Sequence, residues 1–220
     1  MKRQTVWRMK MSRTEWLKQR QVLIGGSDAA AIVGLNPWKS NIEVWQEKTG
    51  RVIAEDIGHK PYVQYGIKAE EYLTRLFLLD HPQYQVTTRP FEILRHPQYS
   101  FIGGTLDGEL VETETGRKGV LEIKTTNILQ SMQREKWIDK IPDNYYTQVL
   151  HYLLVTGWDF AILKAQLKTE YGNEVRLNTR HYQIERADVQ EDIDYLLEQE
   201  IKFWDYVVRD KKPPLTLPPL

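Results

Sequence analysis

The spacing of hydrophobic residues along the chain changes several times between a helical and an extended pattern. Apolar residues recur every three or four positions over residues 63–79, 144–155 and 187–209, which predicts three long helices. Shorter runs rich in β-branched and aromatic residues, bounded by turn residues, predict strands. The predicted strands cover residues 91–94, 101–102, 105–111, 119–125, 160–167 and 180–184. A chain that mixes the two patterns in this way is typical of an α/β domain.

Helix start and stop signals predict three further short helices in the N-terminal part of the chain. Thr14 is the predicted N-cap of the first helix, and Ser27 or Asp28 is the predicted N-cap of the second, which is rich in alanine. Gly34 fits the left-handed position that follows the second helix. Ser40 is the predicted N-cap of the third helix.

The predicted elements form one domain over residues 1–220, because no linker, repeat or change of composition divides the chain. We expect a central mixed β-sheet flanked by helices. Residues 1–13 are expected to form an N-terminal extension, and residues 214–220 are expected to form a proline-rich tail.

Composition and charge exclude several classes of protein. The chain has 30 Lys and Arg against 30 Asp and Glu, which excludes a uniformly basic protein that coats DNA but is compatible with a local basic groove. The absence of cysteine excludes disulfides, cysteine-ligated metals and thiol catalysis. No apolar run reaches the roughly 20 residues of a membrane span, and the polar N-terminus does not resemble a signal peptide. We therefore expect a cytoplasmic protein with no membrane partner.

Two acidic residues are predicted to face each other across a hairpin. The strands on either side of the polar stretch 112–118 would pair so that Asp107 lies opposite Glu122, about 5 Å apart at Cβ. Because side chains alternate along a strand, Lys124 shares the face of Glu122. Two carboxylates at this distance repel unless a proton or a cation lies between them. The alternative is an ordinary ion pair of Glu122 and Lys124 on a solvent-exposed strand.

This group of side chains suits a hard divalent cation such as Mg²⁺, which prefers oxygen ligands. The ion would polarise a phosphoryl oxygen and lower the pKa of a bound water. Lys124 would orient or deprotonate that water and offset developing charge.

Two adjacent glutamates on the helix over residues 63–79 are predicted to differ in role. Glu71 lies four residues before Arg75, the order that favours a surface ion pair. Glu70 instead falls on the apolar side of the helix and would face the core. The predicted apolar stripe consists of Ile67, Leu73, Leu76 and Phe77. A buried carboxylate needs compensation, either from a metal shared with Asp107 and Glu122 or from a buried Arg or Lys.

The pattern as a whole resembles the PD-(D/E)XK nuclease core. A glutamate four residues after Gly66, an Asp-Gly pair at Asp107, and Glu122 two residues before Lys124 match its motif. Leu106 stands where the name of the motif expects proline, at a position that does no chemistry.

The N-terminal part of the chain resembles a narrower group, the YqaJ-like viral recombinase family, to which the lambda-type phage exonucleases are related. The matching residues are Trp16, Arg20, residues 25–30 (GGSDAA) and residues 34–40 (GLNPWKS). The resemblance extends from about residue 14 to residue 213.

The resemblance implies a Mg²⁺-dependent exonuclease that degrades one strand of linear double-stranded DNA in the 5′→3′ direction. The 3′ single-stranded overhangs would serve phage-type recombination through a partner single-strand annealing protein, and the enzyme would be a ring-shaped homotrimer around DNA. The implied ligands of Mg²⁺, or of Mn²⁺ in its place, are Glu70, Asp107, Glu122 and the backbone carbonyl of Ile123. Lys124 would act on the attacking water.

The resemblance also assigns Arg20 and Ser27 to a pocket for the 5′-phosphate of a DNA end. Free N–H groups at a helix start and a guanidinium group are suited to bind a phosphate, although Asp28 places a carboxylate at the same helix end. Gln148 is a further candidate, because the wider nuclease group often has Gln on the helix after the active-site strand. Trp38 lies in a turn beside Lys39, where it would contact DNA by stacking.

Two other functions fit the same residues. A structure-specific or restriction-type endonuclease would use the same acidic residues, but the pattern of Arg20 and Ser27 argues against it. A non-catalytic module that binds DNA ends would not need the complete set of Glu70, Asp107, Glu122 and Lys124.

Overall fold

The computed structural model describes residues 7–128 and 131–217, in which helices and strands are interspersed. In these residues the strands are β1 (Trp7–Lys10), β2 (Tyr84–Thr87), β3 (Glu92–Arg95), β4 (Gly103–Gly104), β5 (Gly108–Glu112), β6 (Lys118–Asn127), β7 (Phe160–Tyr171) and β8 (Glu174–Glu185). The α-helices are α1 (Arg13–Gln21), α2 (Gly26–Ile32), α3 (Asn41–Lys48), α4 (Pro61–Asp80), α5 (Ser131–Glu135), α6 (Asp143–Thr156) and α7 (Gln190–Val208). Short 3-10 helices cover Ile57–His59 and Arg186–Val189.

A five-stranded sheet with the order β2-β5-β6-β7-β8 forms the centre of the fold. β6 and β7 run parallel, and the other neighbouring pairs in this sheet run antiparallel. The connection between the two parallel strands contains α6, as a parallel pair requires a crossover. A second, antiparallel sheet has the order β1-β3-β4. The predicted α/β class, with a central mixed sheet flanked by helices, is confirmed.

The two faces of the central sheet are buried against different helices. Leu121 and Ile123 of β6 pack with the buried side chains of α4. Val120 packs on the opposite face with the buried side chains of α6. Because side chains alternate along a strand, Glu122 and Lys124 lie on the face toward α6. The functional residues of β6 are therefore placed between the sheet and this helix.

The starts of the first two helices differ from the prediction. Ser12, and not Thr14, is the N-cap of α1, and its hydroxyl accepts a backbone N–H from the first turn at 3.3 Å. Gly25 is the N-cap of α2, so that Ser27 and Asp28 both lie inside the first turn. The Asp28 carboxylate accepts the Gly25 N–H at 3.1 Å. A glycine with an acidic residue three positions later thus replaces the expected side-chain cap.

The predicted N-cap of α3 and the predicted left-handed glycine after α2 are confirmed. Ser40 is the N-cap of α3, and its hydroxyl accepts a backbone N–H from the first turn. Gly34 adopts the left-handed conformation (φ 78°) after α2, and Gly157 does so (φ 64°) at the end of α6. Glycine is favoured at these positions because it has no Cβ.

The strand predictions fail mainly where the strands are short or exposed. Residues 101–102 do not form a sheet strand; Ile102 makes an isolated bridge to Ile24, and β4 begins one residue later. β2 has no counterpart in the prediction. β7 and β8 extend past their predicted ends into a long hairpin that turns at Gly172 (φ 57°). Most side chains of β8 are exposed, so its sequence contains no long buried run.

The ends of the chain are attached to the domain more closely than predicted. β1 lies within the predicted N-terminal extension and pairs with β3, whereas residues 1–6 lie outside the described residues. The side chain of Asn41 donates to the Pro214 carbonyl at 2.8 Å and accepts the Thr216 N–H at 3.1 Å, which fixes the start of the proline-rich tail on α3. Residues 218–220 lie outside the described residues. None of the helices in the described ranges is both long and apolar enough to cross a membrane.

The buried face of α4 differs in part from the predicted stripe. Leu73 and Phe77 are buried as predicted, but Ile67 is 58% exposed and Leu76 is 48% exposed. The prediction was therefore wrong at these two positions, because only a narrow face of α4, which also includes Thr74, lies against the sheet. Three- and four-residue spacing alone does not show which edge of a wide apolar stripe faces solvent.

Phe77→Ala should lower the free energy of unfolding by about 3–5 kcal/mol, because it leaves a cavity in a fully buried position. Leu76→Ala removes a half-exposed side chain and should cost less than about 1 kcal/mol. Urea denaturation of the two variants measures both values. Equal losses would contradict the observed orientation of α4.

Candidate active site

The hairpin of β5 and β6 brings Asp107 and Glu122 together. Gly108 pairs with Leu121, so that Asp107, one residue before β5, lies opposite Glu122 as predicted. The Asp107 carboxylate accepts the backbone N–H of Ile123 at 2.8 Å. This bond holds Asp107 against β6, one position beyond the last residue pair of β5 and β6.

Glu122 is the most buried acidic residue of this group, with only 1% of its surface exposed. Its Oε1 accepts hydrogen bonds from Lys124 Nζ at 2.6 Å and from Gln148 Nε2 at 2.9 Å. Its Oε2 is also buried but has no hydrogen-bond partner among the described residues. A buried carboxylate oxygen without a partner is costly, and either a proton or a cation would offset this cost.

Gln148 also links Glu122 to α6. Its side-chain amide donates to the Tyr152 hydroxyl at 2.9 Å, one helical turn further along. The Tyr152 ring lies against two glycines: a Cβ added to Gly26 would come within 2.8 Å of the ring, and one added to Gly104 within 2.7 Å. Gln148 is thus a contact of the acidic group, in agreement with its place among the candidates.

Glu70 extends from α4 toward the same group of charges, and it is half-buried. Burial and the neighbouring Asp107 raise the pKa of Glu70 to about 7, although Lys124 acts in the opposite direction. Glu71 points away, is exposed, and pairs with Arg75 at 2.6 Å. The two glutamates therefore differ in burial and in pairing, as predicted.

Burial raises the pKa of each of the three carboxylates. Burial and the charge of Asp107 raise the pKa of Glu122 to about 8, and burial raises the pKa of Asp107. Burial acts to lower the pKa of Lys124, but Glu122 and Asp107 outweigh it and raise that pKa. One lysine is too little positive charge for three neighbouring carboxylates, so protons or a cation must supply the rest.

The donor set fits a hard cation in its chemistry, because it consists of carboxylates and one of them has a buried oxygen without a partner. The side chains are not arranged around a metal ion: in residues 7–128 and 131–217 no three Asp, Glu, His or Cys are grouped closely enough to hold one. Glu122 is directed at Lys124 and Gln148 instead.

Arg20 and Ser27, the predicted phosphate pocket, are in direct contact. Arg20 Nη2 donates to the Ser27 hydroxyl at 2.9 Å, and its guanidinium lies 4.6 Å from the centre of the Trp16 ring. The Trp16 indole N–H donates to the Thr105 hydroxyl at 2.8 Å. Because Thr105 lies two residues before Asp107, this bond connects the pocket to the acidic group.

The charge of Asp28, which lies beside this pocket, is offset mainly by two lysines. Asp28 is buried and lies 2.7 Å from Lys48 Nζ and 3.7 Å from Lys39 Nζ. Burial acts to raise the pKa of Asp28, but the two lysines outweigh burial and lower it to about 2. Lys48 also donates to the Arg20 backbone carbonyl at 2.8 Å, so the ion pair helps to fix the end of α1.

The turn that carries Trp38 and Lys39 exposes Trp38 to solvent far more than Lys39. Trp38 is 74% exposed, whereas Lys39 pairs with Glu47 and approaches Asp28. The Asn36 side chain accepts the backbone N–H groups of both residues, at 2.9 and 3.2 Å, and so shapes the turn. Trp38 therefore suits a stacking contact better than Lys39 suits a phosphate contact.

His151 and Glu200 form a fully buried pair that the sequence pattern did not predict. His151 Nδ1 lies 2.7 Å from Glu200 Oε1, and its Nε2 donates to the Gly103 carbonyl at 2.9 Å. Burial opposes the charged imidazole, but Glu200 and the Gly103 carbonyl raise the pKa of His151. The signal that could have indicated the pair is Glu200 itself, an acidic residue on the buried stripe of α7.

Comparison with families and sequences shows one clear relationship. A family model for the YqaJ-like viral recombinase domain matches residues 15–159. The protein YqaJ of Bacillus subtilis (strain 168) is 38% identical over 208 residues, a match that covers 93% of this chain and 60% of YqaJ. The chain thus spans about 60% of the length of this relative.

Solved structures share the fold. An alkaline exonuclease (LHK-Exo) from Laribacter hongkongensis has a TM-score of 0.60 and 17% identity, over 90% of this chain and 97% of that chain. Its complex with dAMP has a TM-score of 0.58 and 16% identity over the same shares. A phage related exonuclease from Haemophilus somnus 129PT has a TM-score of 0.51 and 14% identity, over 86% of this chain and 96% of that chain.

The stability of the metal-free protein should fall as pH rises, because the folded state holds protons on Glu70 and Glu122 more tightly than the unfolded chain does. The stabilisation is fully present below the ordinary glutamate pKa of 4.5 and is lost as pH passes through about 7 for Glu70 and about 8 for Glu122. Urea denaturation in EDTA across this window measures the slope.

Glu122→Gln should flatten this pH dependence, because an amide does not titrate, whereas Glu71→Gln should leave the slope as in the wild type. An unchanged slope in Glu122→Gln would show that the carboxyl has an ordinary pKa.

Proposed function

Because the chain belongs to the YqaJ-like viral recombinase family, we propose that it is a Mg²⁺-dependent exonuclease that degrades one strand of linear double-stranded DNA in the 5′→3′ direction. The observation that carries the proposal is the group of Glu70, Asp107 and Glu122 around one lysine, with the buried Oε2 of Glu122 lacking a partner among the described residues. The exonuclease names of proteins that share the fold support the same reaction class.

In this proposal Glu70, Asp107, Glu122 and the backbone carbonyl of Ile123 hold Mg²⁺, with Mn²⁺ as a substitute. The metal supplies a polarised phosphoryl oxygen and a water of lowered pKa. The chain supplies the rest of the chemistry. Lys124 Nζ is released from Glu122 to orient the water and to stabilise charge on the reacting phosphate.

Gln148 acts as a positioning residue for this chemistry, and the metal ligand Asp107 is itself held in place. Gln148 holds Glu122 through Oε1 and is itself held by the Tyr152 hydroxyl. Asp107 is fixed by the Ile123 N–H, and the same peptide segment carries the carbonyl proposed as a ligand. The ligands therefore lie on strands and a helix rather than on loops, which limits their movement.

Recognition of the DNA end is proposed for Arg20 and Ser27. The Arg20 guanidinium is supported by Trp16 and already bonds to the Ser27 hydroxyl, so both groups point to one place. A guanidinium binds phosphate oxygens through charge-assisted hydrogen bonds. Trp38 is proposed as a stacking contact for a DNA base.

Family membership also supports proposals about the assembly and the pathway. We propose a ring-shaped homotrimer around DNA, whose 3′ single-stranded product passes to a single-strand annealing protein in phage-type recombination in the cytoplasm. The family name supports the role in recombination.

A cleavage assay on linear duplex and circular plasmid, each with Mg²⁺ or EDTA, tests the proposed function. The proposal expects degradation of the linear duplex alone, and only with Mg²⁺. Lys124→Ala should lower the single-turnover rate by orders of magnitude with little change in DNA affinity. Cleavage of the circle would favour an endonuclease, and binding of ends without cleavage would favour a non-catalytic module.

Glu70→Gln should abolish Mg²⁺-dependent cleavage and weaken Mg²⁺ binding, because it removes a proposed ligand. Glu71→Gln is the matched control and should remain close to the wild type, since an exposed ion pair contributes little. Cleavage rates and calorimetric titration of Mg²⁺ measure the two effects separately. Loss of activity in Glu71→Gln with retention in Glu70→Gln would reverse the assignment.

Duplexes with a 5′-phosphate should be degraded at least about tenfold faster than duplexes with a 5′-hydroxyl, because the latter cannot accept the charge-assisted hydrogen bonds that a phosphate receives. Arg20→Ala should remove this preference. Arg13→Ala on the same helix, where the guanidinium pairs with Asp56 at 3.0 Å, should keep it. The initial rates on the two substrates are the measurement. Equal wild-type rates on both ends would refute the pocket.

A further inference from the structure

An arginine-lined cavity of about 370 Å³ lies on the same sheet face as Lys124. Three guanidinium groups line it, from Arg134 of α5 and from Arg176 and Arg180 of β8. Tyr171, Trp137 and Leu167 provide apolar surface beside them. The cavity is open to one side of the long β7–β8 hairpin, and its lining within residues 7–128 and 131–217 includes no carboxylate.

The register of the sheet places this cavity close to the acidic group. Lys124 lies beside Ala165 of β7, and Ala165 pairs with Arg180 of β8. Two strand spacings of about 4.8 Å separate the backbones of Lys124 and Arg180, which is about 10 Å. A nucleic acid strand rises about 3.4 Å per nucleotide along its axis, so a bound strand of a few nucleotides is long enough to contact both places.

The charge of the cavity is poorly balanced by the protein. Among the described residues Arg134 and Arg180 form no ion pair, and Arg176 pairs with Glu174 only at an exposed site, at 3.2 Å. The Arg176 guanidinium also lies 5.5 Å from the centre of the Tyr171 ring. Guanidinium groups beside aromatic surface are suited to phosphate and bases together.

We propose that this cavity binds the phosphodiester backbone of the DNA strand close to the reacting phosphate. Arg134 and Arg180 contact phosphates, and Tyr171 with Arg176 borders the adjoining nucleotide. The proposal rests on the proposed nuclease function and assigns a further part of the chain, the β7–β8 hairpin with α5, to DNA binding. These residues lie beyond the acidic group and apart from the Arg20 and Ser27 pocket.

The experiment measures the affinity of a fluorescently labelled, 5′-phosphorylated duplex by anisotropy in EDTA across a series of KCl concentrations. Removing one phosphate-binding charge should reduce the slope of log K against log salt by about 0.9. Arg134→Gln/Arg180→Gln should therefore reduce the slope by about 2 and lower the affinity at fixed salt by at least about tenfold. Thermal unfolding of the variant shows whether it is folded.

Two controls separate charge at the cavity from general effects. Arg209→Gln removes an exposed arginine at the end of α7 that pairs with Asp205 at 2.9 Å, and it should keep the wild-type slope. Arg134→Lys/Arg180→Lys retains the charge and should restore most of the slope. A double glutamine variant with the wild-type slope would overturn the proposal.

Two experimental outcomes distinguish a failure of this proposal from a failure of the proposed nuclease function. A wild-type protein that neither binds nor degrades duplex DNA would overturn both. In a second outcome, the wild-type protein degrades DNA, and the double glutamine variant loses only the binding of a polyglutamate peptide. That result would overturn the DNA assignment and indicate an acidic protein partner.

Discussion

The balance of charge around Glu122 is the constraint on which the site depends. This carboxylate lies on a central strand between the sheet and α6, where transfer from water is costly. Hydrogen bonds from Lys124 and Gln148 to one carboxylate oxygen offset the free-energy cost of burying Glu122. Of the two groups that bond to this oxygen, Lys124 is the charged one, and its side chain is 20% exposed. The other oxygen has no partner among the described residues. The described residues therefore satisfy only one of the two carboxylate oxygens.

The mixed topology of the sheet explains why these groups meet. The antiparallel hairpin of β5 and β6 sets Asp107 opposite Glu122, and the parallel crossover to β7 lays α6 over the same face. One turn of α6 then supplies Gln148 and Tyr152 to the side of the carboxylate. The other face of the sheet receives α4, from which Glu70 reaches the group. Residues far apart in sequence are thus positioned by two adjacent strand pairings.

The sequence predicts the parts of this arrangement that follow from local spacing. The pairing of Asp107 with Glu122, the common face of Glu122 and Lys124, and the contrast of Glu70 with Glu71 all follow from strand and helix periods. The exposure of Ile67 and Leu76 does not, because it depends on which edge of α4 the sheet covers. The other differences have similar physical causes. The helix start at Gly25 is capped by an acidic residue from inside the helix, which a search for a polar residue at the N-cap overlooks. The length of β8 was underestimated because its exposed side chains give no hydrophobic run.

The fit of the Tyr152 ring between Gly26 and Gly104 has a consequence for the evolution of the family. A side chain at either glycine would displace the ring, and the ring carries the hydroxyl that holds Gln148. The three positions should therefore vary together among relatives: a larger residue at position 26 or 104 should occur with a smaller one at position 152. In such relatives the amide at position 148 would need another partner, or the acidic group would need another way of orienting its central glutamate.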